Sequence, residues 1–241
     1  MAQLFDFKAV LTQLPEILAY LPTTLLLAIS SMAIALVAGM VLALIKVKRV
    51  PVLRQLTALY ISVVRGTPVI VQLYIAYFGI PMITKYIYLQ NGWDYQNNTG
   101  SGIVYAIIAL SINESAYIAE IFRGSLAAVG QGQIEAASAI GMTYGQTFRR
   151  IIFPEMMTVA LPGLGNSFIG LIKGTSLAFV CAVVEMTAQG KIIGGRTYRY
   201  FEVYVSLAII YWLLTLVVEW AVRGLERRMA VPEQAQKIKA E

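Results

Sequence analysis

Five long apolar runs constrain the fold of this chain more than any other feature of its sequence. A membrane-spanning helix needs about 20 predominantly apolar residues. Runs that meet this requirement lie at about 20–45, 59–80, 103–122, 161–184 and 201–222. Because backbone polar groups cannot stay unpaired in lipid, each run is predicted to be a helix. We therefore predict an all-α integral membrane protein in which residues 20–222 form one domain with five transmembrane helices.

The two ends of the chain differ from the predicted spans. Residues 1–19 carry apolar side chains at roughly helical spacing among polar ones, a pattern typical of a helix that lies in the membrane interface. They do not combine a basic start, an apolar core and a small-residue cleavage site, so we predict no cleavable signal peptide. Residues 223–241 are polar and are predicted to form a cytoplasmic tail.

Positively charged residues predict the orientation of the spans. They are concentrated after the first span, in the loop after the third span and after the fifth span. Cytoplasmic loops are enriched in Lys and Arg, so the N-terminus is predicted to lie outside. The outer loop around Arg196 is the exception to this rule. Orientation also explains the formal net charge of +6, and we predict no nucleic-acid partner.

The composition argues against an enzyme. Only 13% of the residues are charged, whereas 58% are hydrophobic, and soluble domains carry nearly twice that charge. The chain has no histidine and a single cysteine, which removes the commonest acid–base group and metal ligands. The stretch 165–173 lacks the Lys-Ser/Thr ending of a phosphate-binding loop, so we predict no ATP site in this chain.

Two charged residues of opposite sign, Glu114 and Lys173, lie near the middle of the third and fourth spans. A charge at this depth costs about 2.5–3.5 kcal/mol on insertion scales and usually faces a partner or water. The two residues could pair with each other. Alternatively, they line a substrate pathway in which Glu114 meets an ammonium group and Lys173 a carboxylate. The predicted pathway residues, polar side chains on these two spans, are Asn113, Glu114, Ser115, Tyr117, Lys173, Thr175 and Ser176.

Further charged residues lie near the cytoplasmic ends of the second and third spans. Arg65 precedes Pro68, which is predicted to kink the second span. Glu120 and Arg123 are three residues apart and therefore share a helix face. We predict an ion pair among Arg65, Glu120 and Arg123, with a structural or gating role.

The stretch 131–155 is a polar island between the third and fourth spans. Its Ala, Glu and Gln residues favour helix. We predict a short helix, a turn near Gly141 to Gly145, and a second helical piece that ends at Pro154.

Several motifs of this chain resemble those of the permease subunits of ABC importers for polar amino acids. The stretch 131–155 resembles their EAA loop, with Glu135-Ala136-Ala137, Gly141, Ile151 and Pro154 in place and Phe153 instead of Leu. Arg65-Gly66-Thr67-Pro68, the run 113–124 and Lys173-Gly174-Thr175-Ser176-Leu177 also resemble segments of this family. Gly174 replaces the polar residue usual at its position.

The resemblance implies a type I ABC permease fold in the cytoplasmic (inner) membrane of a bacterium. It implies that this chain works in an assembly with a second permease subunit, two ATPase subunits and an extracytoplasmic substrate-binding protein. ATP and Mg would bind to the ATPases, and no cofactor to this chain. It also implies that the EAA loop couples the permease to the ATPase through Glu135, Ala136, Ala137, Gly141 and Pro154.

The substrate is less constrained. Charges of both signs at mid-depth suit a zwitterion, and the stretch 188–203 resembles cystine-type members of the family most. We therefore expect L-cystine, while basic amino acids and glutamine stay open. An ion-coupled secondary transporter, with Glu114 or Glu120 as the ion site, is the alternative from another class.

Overall fold

The computed structural model describes residues 5–95 and 101–229 of the 241-residue chain. These residues form ten α-helices. The helices are α1 Phe7–Leu18, α2 Leu21–Val47, α3 Leu53–Gly66, α4 Val69–Gln90, α5 Gly102–Ala128, α6 Gln131–Ala139, α7 Tyr144–Thr147, α8 Phe153–Gly174, α9 Met186–Thr197 and α10 Tyr200–Met229. A π-helical turn, Phe148–Ile152, joins α7 to α8, and a 3₁₀ segment, Thr175–Cys181, continues α8.

Within the described ranges, five helical segments are long and apolar enough to cross a membrane, which confirms the predicted number of spans. They are Leu21–Val47, Val69–Gln90, Gly102–Ala128, Tyr144–Cys181 and Tyr200–Met229. The first predicted segment, 1–19, contains α1, but its place at a membrane surface stays a prediction. Most of the predicted tail, residues 230–241, lies outside the described residues.

The predicted second span, 59–80, is two helices rather than one kinked helix. Thr67 is extended (φ −114°, ψ 140°), and Pro68 is the residue before α4. A proline disfavours helical geometry in the residue that precedes it and cannot donate a backbone hydrogen bond. The helix therefore stops at Gly66, and the apolar span begins at Val69.

Pro154 does not end a helix, contrary to the prediction. The helical path is continuous from the π-helical turn into α8, and Pro154 lies in the first turn of α8. The π-helical turn directly before α8, in which the Phe153 amide donates to the carbonyl oxygen of Phe148, is a local adjustment of the kind that accommodates a proline in a continuous helix.

Helix α5 is the centre of the molecule, because α2, α3, α4 and α8 all pack against it. The contact with α2 is extensive and close, since a Cβ added to Gly39 would lie 2.6 Å from Cγ2 of Ile118. Two apolar cores lie along α2 and α5. One contains Leu27 and Leu110, and the other contains Ala35 and Phe122. Helix α5 thus positions its charged side chains between four other helices.

Helices α1, α9 and α10 form a second packing unit. Ile17 of α1, Ile193 of α9 and Val203 of α10 are all fully buried in one core. An ion pair between Glu16 and Arg196 (2.8 Å) links α1 to α9. The unit contacts the rest of the protein mainly where α10 packs on α8.

Candidate functional site

A cavity of about 260 Å³ lies between α4, α5 and α8. Helices α5 and α8 each line it with four residues at the spacing i, i+3, i+4, i+7, which places the four on one helix face. The lining residues are Leu110, Asn113, Glu114 and Tyr117 from α5, Ser167, Gly170, Leu171 and Gly174 from α8, and Val69 from the first turn of α4. The cavity is slightly smaller than the range typical of drug-sized ligand pockets.

Glu114 is the charged group of this cavity. Its side chain is only 6% exposed, and the Ser167 hydroxyl donates a hydrogen bond to its Oε1. Within residues 5–95 and 101–229, no Lys or Arg forms a salt bridge with Glu114. A buried carboxylate without a counter-charge is unfavourable in a membrane interior, so this cavity favours a cationic group.

Asn113 belongs to a hydrogen-bonded chain at the edge of the cavity. Its Nδ2 donates to Oε1 of Gln72 (3.2 Å), and Nε2 of Gln72 donates to the carbonyl oxygen of Val64 (2.8 Å) and to Oγ1 of Thr67 (2.8 Å). Gln72 thereby satisfies backbone groups at the break between α3 and α4. Sequence reasoning missed Gln72, although it lies one helical turn after Pro68.

Ser115 faces away from the cavity. Its hydroxyl lies 2.7 Å from the Tyr60 hydroxyl and donates to the carbonyl oxygen of Ile112 (2.9 Å). It is 1% exposed and is not on the α5 face that lines the cavity. The structure therefore gives Ser115 a packing position between α3 and α5.

Lys173 lies in a different cavity, of about 390 Å³, on the α10 side of α8. This cavity is lined by Lys173, Ser176, Ala208, Tyr211, Trp212 and Thr215. The predicted pathway residue Thr175 is fully buried, and its hydroxyl donates to the carbonyl oxygen of Ile172 (2.7 Å). Glu114 and Lys173 thus neither pair nor share a cavity in this structure.

A buried carboxylate connects the second cavity to α9. Glu185 is fully buried, accepts hydrogen bonds from the backbone amides of Thr187 and Ala188, and accepts one from the Tyr211 hydroxyl (3.2 Å). Burial raises the pKa of Glu185, although these hydrogen bonds oppose the shift. Glu185 is also the N-cap residue of α9, a position that the sequence alone does not reveal.

The ion pair predicted between Arg65 and Glu120 is not formed. Glu120 pairs with Lys46 of α2 and with Nε of Arg123 (2.8 Å). Arg65 instead lies over the ring of Tyr117, 5.2 Å from its centroid. The contact between α2 and α5 brings Lys46 closer to Glu120 than Arg65, and sequence spacing does not reveal such a contact.

The polar stretch 131–155 folds as the short helix α6 followed by a turn at Gly141, as the sequence predicts, but its second helical piece, α7, is not separate and runs on through the π-helical turn into α8. Gly141 has a left-handed backbone (φ +76°), a conformation that residues with a side chain rarely adopt. Thr143 and Gln146 form a capping box at the start of α7. Glu135 and Ala136 are exposed while Ala137 is 2% exposed, and the apolar Ile140 is 78% exposed.

No group of three or more His, Cys, Asp or Glu residues in the described part of the chain is arranged to hold a metal ion.

Residues 35–231 match the family described as "Binding-protein-dependent transport system inner membrane component". The chain is 42% identical over 227 residues to the probable amino-acid permease protein YxeN of Bacillus subtilis (strain 168), covering 94% of this chain and 97% of the relative. It is 36% identical over 230 residues to the L-cystine transport system permease protein TcyL of the same strain, covering 95% and 93%.

A solved structure shows the same fold. The crystal structure described as an amino acid ABC transporter with histidines matches with a TM-score of 0.76 and 34% identity, covering 94% of this chain and all of the matched chain. Together with the five apolar helices, the family description identifies a multi-pass protein of the inner membrane. The chain therefore belongs to the binding-protein-dependent transport family, as a permease subunit of an amino acid ABC transporter.

Proposed function

We propose that this permease imports a polar amino acid, with L-cystine as the first candidate, and that the Glu114 cavity binds the substrate ammonium group. The observation that carries this proposal is a carboxylate, Glu114, that is 6% exposed and that, among residues 5–95 and 101–229, has one hydroxyl partner and no salt bridge. An ammonium group would supply the missing counter-charge. The cystine permease TcyL, 36% identical to this chain, supports the choice of substrate.

Lys173 and Ser176 would meet the substrate carboxylate along the adjoining cavity. The two cavities lie on opposite sides of α8, and Lys173 is next to Gly174, which lines the Glu114 cavity. A zwitterion that moves along this part of α8 would thus meet a negative group on one side and a positive group on the other. Basic amino acids and glutamine are the alternative substrates.

The stretch 131–155 would couple transport to ATP hydrolysis from the cytoplasmic side, with the N-terminus of the chain outside. Glu135, Ala136 and Ile140 form an exposed polar and apolar surface, which suits a protein partner. Gly141 turns the chain, and Pro154 lies in the first turn of α8. Two ATPase subunits would bind ATP and Mg, a second permease copy or paralogue would complete the pathway, and a substrate-binding protein would deliver the ligand. ATP binding would then favour one of two alternating states.

The test is an affinity pull-down of the tagged permease from detergent-solubilised membranes, followed by ATPase assays with candidate amino acids and the binding protein. We expect an ATPase to co-purify and L-cystine with its binding protein to stimulate it. Stimulation by arginine or glutamine instead would contradict the choice of cystine. Absence of a co-purifying ATPase would contradict the proposed assembly.

A further inference from the structure

We propose that Gly170 and Gly174 are specificity-determining residues that set the size of the substrate side chain admitted beside Glu114. This inference rests on the proposed amino acid transport and adds to it the two positions that control selectivity.

The glycines of α8 fall into two groups according to what surrounds them. A Cβ added to Gly163 would lie 3.2 Å from Cγ2 of Ile121, and one added to Gly165 would lie 2.6 Å from Cγ1 of Val222. These two glycines are required by helix packing. A Cβ added to Gly170 or Gly174 would meet no atom within 4 Å. Packing within the described part of this chain therefore does not explain the second pair.

Both unpacked glycines line the Glu114 cavity. They are four residues apart and therefore lie on one face of α8, together with Ser167. Gly170 lies inside α8, and Gly174 is its last residue, from which the helical path continues into the 3₁₀ segment. Glycine within a helix is less favourable than alanine, so a bare surface at these positions lowers helix stability without a packing gain among the described residues. The volume that the missing side chains leave belongs to the cavity.

Glu114 indicates what occupies this volume. It lies on the same cavity, and its buried carboxylate lacks a cationic partner among the described residues. When an ammonium group pairs with Glu114, the rest of the ligand extends along the glycine surface. The remaining lining is mostly apolar and aromatic, with Val69, Leu110 and Tyr117. The ligand is thus an α-amino acid with a sizeable side chain, whose length the glycine surface accommodates.

The experiment measures binding of radiolabelled alanine, glutamine, arginine and L-cystine to the purified importer by equilibrium dialysis. Gly170→Leu and Gly174→Leu place a side chain in the cavity, and Gly174→Ala is a milder change that retains the helix. Gly79→Leu is the matched control, since Gly79 also lies in a spanning helix with no atom within 4 Å of an added Cβ, and it does not line the cavity. Thermal unfolding of each purified variant checks its folding.

We expect the two leucine variants to lose more binding as the side chain of the ligand becomes larger. The loss should be roughly tenfold or more for the largest ligand that the wild type binds. Gly174→Ala should show a smaller effect with the same ranking, and Gly79→Leu should match the wild type. Unchanged selectivity, or an equal loss for all ligands, would overturn this inference alone. A wild-type importer that binds no amino acid would overturn the proposed function and this inference together.

Discussion

At the scale of single residues, the two charges predicted near the middle of the membrane, Glu114 and Lys173, are separated rather than paired. Glu114 and Lys173 lie in cavities on opposite sides of α8, while the ion pairs of Glu120 with Lys46 and Arg123 lie near the end of α5. Glu120 is satisfied by two cations, whereas Glu114 has a single hydroxyl partner. This difference supports our proposal that Glu120 has a structural role and that Glu114 binds the ligand.

Glu114→Gln tests the role of the buried charge. The amide keeps the size of the side chain and a hydrogen bond to Ser167 but cannot form an ion pair with an ammonium group. We expect uptake to fall at least about tenfold, and the stability of the protein to stay equal or rise because a buried charge is removed. Uptake into proteoliposomes and thermal unfolding measure the two effects. Uptake at the wild-type level would contradict the ammonium contact.

A pair of double-mutant cycles tests the revised ion-pair assignment. Lys46→Met and Glu120→Gln should be non-additive in unfolding free energy, with a coupling of about 0.5–3 kcal/mol, because the side chains touch. Arg65→Met and Glu120→Gln should add to within about 0.5 kcal/mol. Unfolding in a denaturing detergent gives the free energies. Coupling of Arg65 to Glu120 instead would restore the pair predicted from the sequence.

At the scale of helices, the fold depends on close approaches and on interruptions. The first residue of α5, Gly102, lies against the end of the 3₁₀ segment, where an added Cβ would be 1.9 Å from the carbonyl oxygen of Cys181. The 3₁₀ segment ends at Ala182, which has a left-handed backbone (φ 58°). The end of the 3₁₀ segment, and the turn that follows it, are therefore held in place by their contact with the start of α5.

Gly102→Ala tests this contact. The methyl group would overlap a backbone oxygen, which cannot rotate away, so the start of α5 and the 3₁₀ segment must separate. We expect a loss of stability of about 1–3 kcal/mol or more, measured as a lower midpoint of thermal unfolding. Gly79→Ala is the control, and it should be neutral or stabilising by up to about 1 kcal/mol. Equal effects of the two changes would contradict the close approach.

At the scale of the whole molecule, the polar stretch 131–155 connects α5 and α8, the two helices that supply most of the lining of the candidate substrate cavity. The stretch begins directly after α5 and continues without a break into α8, and these two helices line the Glu114 cavity. We therefore expect a displacement of α6 and α7 to reach both of these helices. This connection gives a physical route between the proposed ATPase contact and the substrate.

Glu135→Arg tests the proposed coupling surface. Glu135 is exposed, so a longer side chain of opposite charge should not disturb folding. We expect the permease to insert and purify normally. ATP hydrolysis by the partner should, however, no longer drive amino acid uptake. Uptake and ATPase activity are measured on the same proteoliposomes. Glu226→Arg, on α10 outside the stretch, is the control, and full coupling in both variants would contradict the proposed role of Glu135.

The sequence by itself determined the membrane class, the number of spans, the first helix and the turn of the stretch 131–155, and the family resemblance. These features depend on local composition and spacing: apolar runs long enough to cross a bilayer, a glycine turn at Gly141, and motifs read along the chain. The charged residues inside the spans were also identified, because a charge in an apolar run is visible without a structure.

Only the tertiary structure decided which side of a helix each functional group faces and what it touches there. Ser115 packs against Tyr60, Glu120 takes Lys46 rather than Arg65, and Lys173 lies across α8 from Glu114. Each outcome depends on how helices far apart in the sequence pack and rotate against one another. The spacing i, i+3, i+4, i+7 within a helix defines a face, but the neighbouring helices decide whether that face meets a core, a cavity or an ion pair.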